Sequence, residues 1–290
     1  MTSNFRIWIL LFIALLSVSS SAIIVRYLSE IEAIPIAFAR MTIAGIILWT
    51  YSLFKPQGSL PLKIKLLTIL SGVFLGIHFA FFFSSVKLTT LANATLFGTL
   101  APIFTVILNY LIYRTKINSK IFMGLILTLL GGLTMQGFDI EFNSVGFKGD
   151  LSAIICSFWM AFVLIITKSI RKEYGTLIYS RLLYVSASVA LLILILILEI
   201  PVKQPNGQEI IFLLLLGFIP NILGHSILYY SIRYLPAHTV ASVPLGEPVI
   251  VSTIGFILFK EIVPFSVFIG GAITICGLYL ILKNSEIEHD

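Results

Sequence analysis

Ten apolar stretches, parted by short polar turns, make up almost the whole chain. They run Phe5–Tyr27, Ile34–Phe54, Ile64–Val86, Leu91–Tyr113, Ser119–Phe138, Gly149–Ser169, Gly175–Leu198, Glu209–Ile232, Ala237–Phe259 and Phe265–Leu282. A helix that crosses a bilayer needs about 20 predominantly apolar residues, and each stretch meets that length. The runs are continuous, whereas the strands of a membrane β-barrel alternate apolar and polar positions over about 10 residues. The pattern therefore predicts an all-α membrane protein with ten transmembrane helices.

A second pattern overlies the first. Pro102 is followed by Gly124 and Gly131, and Pro248 by Gly270 and Gly277 at the same separations. Ser85-Val86-Lys87-Leu88 answers Ser231-Ile232-Arg233-Tyr234, and Arg40 answers Arg181 near the start of a second span. The chain thus reads as a duplication: residues 1–138, a connecting loop at 139–148, and residues 149–290. Five spans is an odd number, so the second copy enters the membrane from the opposite face. Such inverted repeats typically hold a solute site at their interface near mid-membrane.

Lys and Arg set the orientation. Arg6, Lys55, Lys63, Lys65, Arg114, Lys116, Lys168, Arg171, Arg233 and Lys283 collect on one side, against Arg26, Lys87, Lys148, Lys203 and Lys260 on the other. The cytoplasmic side carries the excess. This places both termini in the cytoplasm and the chain in the cell membrane. Ser19-Ser20-Ser21-Ala22 resembles a signal-cleavage site, but the first stretch is read as a retained helix because it completes five spans per half.

Composition narrows the class further. Of 290 residues, 58% are hydrophobic and 11% charged, against about 25% charged in a soluble domain. The net charge of +6 resides mostly in short loops, where it sets topology, so no nucleic-acid partner is expected. Neither a Walker A motif nor an HExxH or Cys/His cluster occurs, so no cofactor, metal or ATP-driven cycle is expected. Cys156 and Cys276 lie inside apolar spans and read as free thiols.

Against this background the polar residues inside spans stand out. A carboxylate at mid-membrane costs about 2.5 kcal/mol or more, and such groups usually face a cavity or a partner. Glu247 is one. Pro248 beside it lacks an N–H and frees a carbonyl one turn earlier. Glu247 is therefore the candidate substrate-binding and proton-coupling group, with a hydrogen-bonded structural acid as the plainer reading. His78 and His225 occupy nearly matching positions in the third spans of the two halves, as solute ligands or as interhelical hydrogen-bond donors. Asn93 and Trp159 complete the candidate lining, with Thr95 and Thr99 weaker; Trp159 also fits a packing role. Arg40 and Arg181 read as anchors close to the interface, with an inward carboxylate clamp as the alternative. Pro102 and Pro248 are the expected hinges. Gly124, Gly131, Gly270 and Gly277 are expected to bring helices close together, with a homodimer contact there as a further expectation.

Taken together, Pro35-Ile36-Ala37-Phe38-Ala39-Arg40, Leu245-Gly246-Glu247-Pro248-Val249, Phe259-Lys260-Glu261 and Gly270-Gly271 with Gly277 resemble the EamA branch of the drug/metabolite transporter superfamily. The resemblance covers nearly the whole chain. One departure is Thr115, which stands where Glu261 stands in the second half. The resemblance implies a secondary transporter in the lipid bilayer, an exporter of small organic solutes such as amino acids or related metabolites; the inverted repeat adds the expectation of alternating access, and Glu247 that of proton coupling. A non-transporting receptor or assembly subunit and an intramembrane enzyme are the alternatives.

Overall fold

The computed structural model describes residues 2–114, 118–136, 145–259 and 265–285. The comparison of Thr115 with Glu261, and most of the predicted connecting loop, lie outside these residues. Among the described residues the chain is all-helical. The helices are α1 (Thr2–Arg26), α2 (Ala33–Phe54), α3 (Leu62–Leu88), α4 (Leu91–Gly98), α5 (Ala101–Tyr113), α6 (Ser119–Gln136) and α7 (Val145–Arg171). They continue with α8 (Thr176–Ile197), α9 (Gly207–Phe218), α10 (Ser226–Ser231), α11 (Ala237–Ser242), α12 (Glu247–Phe259) and α13 (Phe265–Lys283). Among the described residues nine spans are long and apolar enough to cross a membrane, and α6 holds a shorter apolar helix. Helices suit the bilayer because each satisfies its own backbone N–H and C=O groups where no water is available.

Three spans are interrupted, each at a proline. The fourth pauses between α4 and α5, just before Pro102. The ninth passes through a 3₁₀ turn at Val243–Gly246, just before Pro248. In both, the second helix starts one residue before the proline and runs 13 residues. Pro248 cannot donate to the carbonyl of Pro244, and that oxygen accepts from the Glu247 N–H instead. Pro102 leaves the Gly98 carbonyl in the same position, and the Cys156 thiol lies 3.9 Å from it. Ser157 repairs the rest of the break: its hydroxyl donates to Phe97 O at 2.7 Å and accepts from Leu100 N at 3.1 Å. The eighth span breaks in a different form. It contains a π-helical turn at Ile219–His225 with Pro220 near its start. Pro220 has no N–H to return to the preceding turn, and the Asn221 carbonyl accepts from the Tyr184 hydroxyl at 3.1 Å.

The glycines of α6 and α13 face each other inside one chain. A Cβ on Gly131 would meet Gly270 O at 2.6 Å and Thr274 N at 2.5 Å; one on Gly277 would meet Gly124 O and Thr128 N, both at 2.6 Å. A Cβ on Gly124 would lie 2.8 Å from Ile281 Cγ1, and one on Gly270 would lie 2.6 Å from Met135 Cγ. Exchanging each residue for its partner in the other half's Pro–Gly frame reproduces the same set of neighbours. Only glycine allows two helical backbones this close.

Candidate functional site

The interrupted spans converge on a cavity of about 50 Å³. It is lined by α1 (Val18, Ser21), α2 (Arg40), α3 (His78, Phe79, Phe82) and the fourth-span break (Gly98, Thr99, Ala101). From the second half come Met160 and Leu164 of α7, His225 and Leu228 of the eighth span, and Val240, Ala241, Pro244 and Glu247 of the ninth. Between the third and fourth spans and the eighth and ninth, four pairs in this lining are matched by the Pro102–Pro248 offset: Phe79 with His225, Phe82 with Leu228, Gly98 with Pro244, and Ala101 with Glu247. The cavity is therefore lined by positions that the repeated Pro–Gly spacing relates to one another. Its polar groups are not duplicated, because Glu247 stands opposite an alanine and His225 opposite a phenylalanine.

Arg40 is the most constrained polar group in the lining. It is 0% exposed. Its Nε donates to Asn221 Oδ1 at 2.7 Å and its Nη1 to Ser21 Oγ at 2.7 Å. Asn221 in turn donates from Nδ2 to the Arg40 carbonyl at 3.1 Å. The guanidinium carbon lies 4.0 Å from the centre of the Phe79 ring, a cation–π distance. Nη2 is buried without a hydrogen-bond partner among the described residues. All of the partners are neutral, so the guanidinium charge is held but not cancelled. Glu247 lines the same cavity, 7% exposed, and makes neither an ion pair with Arg40 nor a hydrogen bond among the described residues. A buried guanidinium and a buried carboxyl group thus share one small space with no direct bond between them.

The histidines are held differently. Nδ1 of His78 lies 2.9 Å from the Cys156 carbonyl and donates to it. Nδ1 of His225 has no hydrogen-bond partner among the described residues. Phe79 packs edge-on against both rings, at centroid distances of 4.6 Å to His78 and 5.3 Å to His225. One aromatic ring therefore touches both imidazoles and the Arg40 guanidinium.

Of the expected site residues, the structure brings His78, His225 and Glu247 to the cavity. Asn93 and Trp159 are elsewhere. Asn93 sits in the first turn of α4 and donates to both carboxylate oxygens of Asp150 at 3.0 Å. Trp159 is packed among Phe74, Phe158 and Phe162. Each turned away because α4 and α7 present several faces, and a polar or aromatic residue can satisfy itself against a neighbour on any of them. Thr99 does line the cavity, whereas Thr95 is buried and bonds its own helix at Leu91 O. Arg40 was read as an anchor and is instead the centre of the site. Its counterpart Arg181 is at the surface, 4.5 Å from the centre of the Trp49 ring. The polar stripe Ser17–Ser21 reads from sequence either as cavity-facing or as packing, and its Ser21 lines the cavity; Asn221 is not singled out as a ligand, although an Asn beside a proline inside an apolar span was the available signal. Among the described residues no group of three His, Cys, Asp or Glu could hold a metal ion.

The sequence model of the EamA-like transporter family matches residues 6–135 and again residues 147–283. The chain belongs to the EamA-like transporter family. An uncharacterized transporter of Archaeoglobus fulgidus is 26% identical over 290 residues, covering 96% of this chain and 97% of that one. An uncharacterized transporter of Methanothermobacter thermautotrophicus is 25% identical over 212 residues, which is 58% of its length. Protein LicB of Haemophilus influenzae is 24% identical over 235 residues, 78% of this chain. A crystal structure at 18% identity matches with a TM-score of 0.78 over 96% of this chain and 98% of that one, which shows a shared fold. This EamA-like protein is a multi-pass membrane transporter of the drug/metabolite type.

Proposed function

We propose that the cavity is the solute site of a secondary exporter that works by alternating access between two inverted five-span halves, residues 1–138 and 149–290. The observation that carries this reading is the buried, uncancelled Arg40 charge facing the same small cavity as the unpaired Glu247. A solute bearing a carboxylate and an amine, as an amino acid does, satisfies both at once. Its carboxylate takes the free Nη2 of Arg40 through a charge-assisted hydrogen bond, and its amine takes Glu247. Phe79, Phe82, Met160 and Leu164 accept the apolar remainder.

The cavity holds a few water molecules at most, so the helices part to admit a solute and this conformer is the contracted one of the cycle. The breaks at Pro102 and Pro248 border the cavity and are the hinges. Glu247 takes a proton when the solute leaves, which couples export to proton entry. Both termini lie in the cytoplasm. A ligand drives the switch only through unequal affinity for the two facing states.

The test is flux in proteoliposomes with a panel of amino acids and related metabolites, with and without an imposed pH gradient. Gradient-dependent flux that is lost in Glu247→Gln supports the coupled reading. Gradient-independent flux that survives in Glu247→Gln removes Glu247 from the mechanism. Absence of flux for every compound overturns the substrate assignment.

A further inference from the structure

A second site lies on the outer surface, far from the cavity in chemistry and in exposure. Between the end of α2 and the starts of α3 and α8 is a cleft of about 490 Å³ bordered by Trp49, Lys65 and Arg181. It shares Ile69 and Leu182 with a second, almost wholly apolar cleft of about 540 Å³ that continues between α3 and α8 to Ile77 and Ile193. The two form one groove with a basic head and an apolar tail.

The head is organised around Arg181. Its Nη2 donates to Gly58 O at 2.9 Å, in the loop between α2 and α3. Trp49 Nε1 donates to the Arg181 carbonyl at 3.2 Å, and the guanidinium carbon lies 4.5 Å from the centre of the Trp49 ring. These contacts hold the side chain while Nε and Nη1 have no hydrogen-bond partner among the described residues. The Lys65 ammonium has none either. No acidic side chain borders the cleft. Two cations beside a tryptophan at the end of a membrane span match the headgroup level of a bilayer. The tail matches the hydrocarbon. At 1.5 Å per residue α8 rises about 18 Å from Arg181 to Ile193, close to half of a hydrocarbon core about 30 Å thick.

We propose that this groove is a binding site for one anionic diacyl phospholipid, its phosphate on Arg181 and Lys65 and an acyl chain along the α3–α8 cleft. Lys55 and Lys63 lie at the same end of the molecule, so the lipid comes from the leaflet that carries the chain's basic loops. Charge complementarity selects an anionic lipid over a zwitterionic one, because the head offers two cations and no anion. The bound lipid bridges α2 and α3, before the Pro102 break, to α8 of the second half. The proposal does not depend on what the central cavity carries.

The test is native mass spectrometry of the full chain released from detergent, titrated separately with dioleoyl phosphatidylglycerol, dioleoyl phosphatidylcholine and glycerol 1-phosphate. One phosphatidylglycerol is expected to be retained in preference to phosphatidylcholine. Lys65→Gln and Arg181→Gln are each expected to weaken that retention about fivefold. Val189→Trp, which blocks the exposed tail while leaving both charges, is expected to reduce retention as well. If Arg181→Gln fails to fold, Lys65→Gln and Val189→Trp carry the test, since both positions face outward. Equal retention of the two lipids overturns the proposal, as does a preference that none of the folded variants changes. Retention of glycerol 1-phosphate at the same occupancy as the lipid overturns it too, since the site would then take a free anion.

Discussion

Arg40 and Asn221 hold each other in both directions. The guanidinium Nε donates to the Asn221 side chain at 2.7 Å, and the Asn221 amide donates back to the Arg40 carbonyl at 3.1 Å. One side chain thereby fixes both the charge of Arg40 and the backbone that carries it. Asn221 reaches that place because the π-helical turn Ile219–His225 displaces it from the regular helical path.

Asn221→Ala removes a hydrogen bond to a buried charge, an interaction worth about 1.5–3 kcal/mol. Solute binding is expected to weaken about tenfold or more while the fold persists at a lower Tm. Asn221→Asp keeps an acceptor but adds a negative charge that cancels the guanidinium. It also loses the donor to the Arg40 carbonyl, so Tm is expected to fall and binding of a carboxylate solute to be lost. Thermal unfolding and equilibrium binding in detergent, measured side by side, check both; a variant with wild-type binding contradicts the role given to Arg40.

Arg40→Lys and Arg40→Leu separate charge from shape. A lysine keeps the charge but cannot reach Asn221, Ser21 and a solute at once, because it lacks the planar fork. Its solute affinity is expected to fall at least tenfold. Leucine removes the charge and leaves Asn221 Oδ1 and Ser21 Oγ without their donor, a cost of about 1–3 kcal/mol for each buried group. Arg40→Leu is therefore expected to lower Tm and carry nothing. The readout is flux per folded molecule, with folding scored by size-exclusion chromatography.

Ser157 is predicted to matter for stability without touching a solute. Its hydroxyl serves both backbone groups exposed by the break before Pro102. Ser157→Ala leaves Phe97 O and Leu100 N–H without that partner inside the membrane, a loss of about 1–3 kcal/mol for a buried polar group. A lowered Tm with solute affinity close to wild type is the expected pattern.

The α6–α13 contact predicts a graded glycine series. Gly131→Ala places a methyl 2.5–2.6 Å from backbone atoms of α13, and overpacking of this kind costs about 1–3 kcal/mol. Gly271→Ala meets only Val249, at 3.7 Å, and is expected to be close to neutral. Denaturation midpoints of the two variants, compared with wild type, read the difference directly. Equal midpoints would contradict the close backbone packing.

Hydrophobic continuity and the Pro–Gly spacing were legible along the chain because both are local properties. Spans must be apolar for their full length to face lipid, and a proline interrupts a helix wherever it falls in its interior. Glu247, His78 and His225 were legible as site residues for the same reason: a titratable group inside an apolar span needs a partner or a cavity. The π turn was not legible, since Pro220 alone announces an irregularity and not its form.

Arg40 and Arg181 mark the boundary of what sequence determines. Both lie near the start of a second span, and nothing in their neighbourhoods along the chain separates them. Arg40 meets Asn221, Ser21 and Phe79 and is fully buried; Arg181 meets Trp49 and the loop at Gly58 and stays at the surface. Asn93 and Trp159 went to Asp150 and an aromatic cluster by the same kind of choice. The sequence by itself determined that this chain crosses the membrane about ten times, where its helices break, and which glycines lie on close-packed faces. Only the tertiary structure decided which polar groups share the cavity, because a side chain's partner is set by the rotation and depth of the helix beside it, and those follow from packing among spans far apart in the chain.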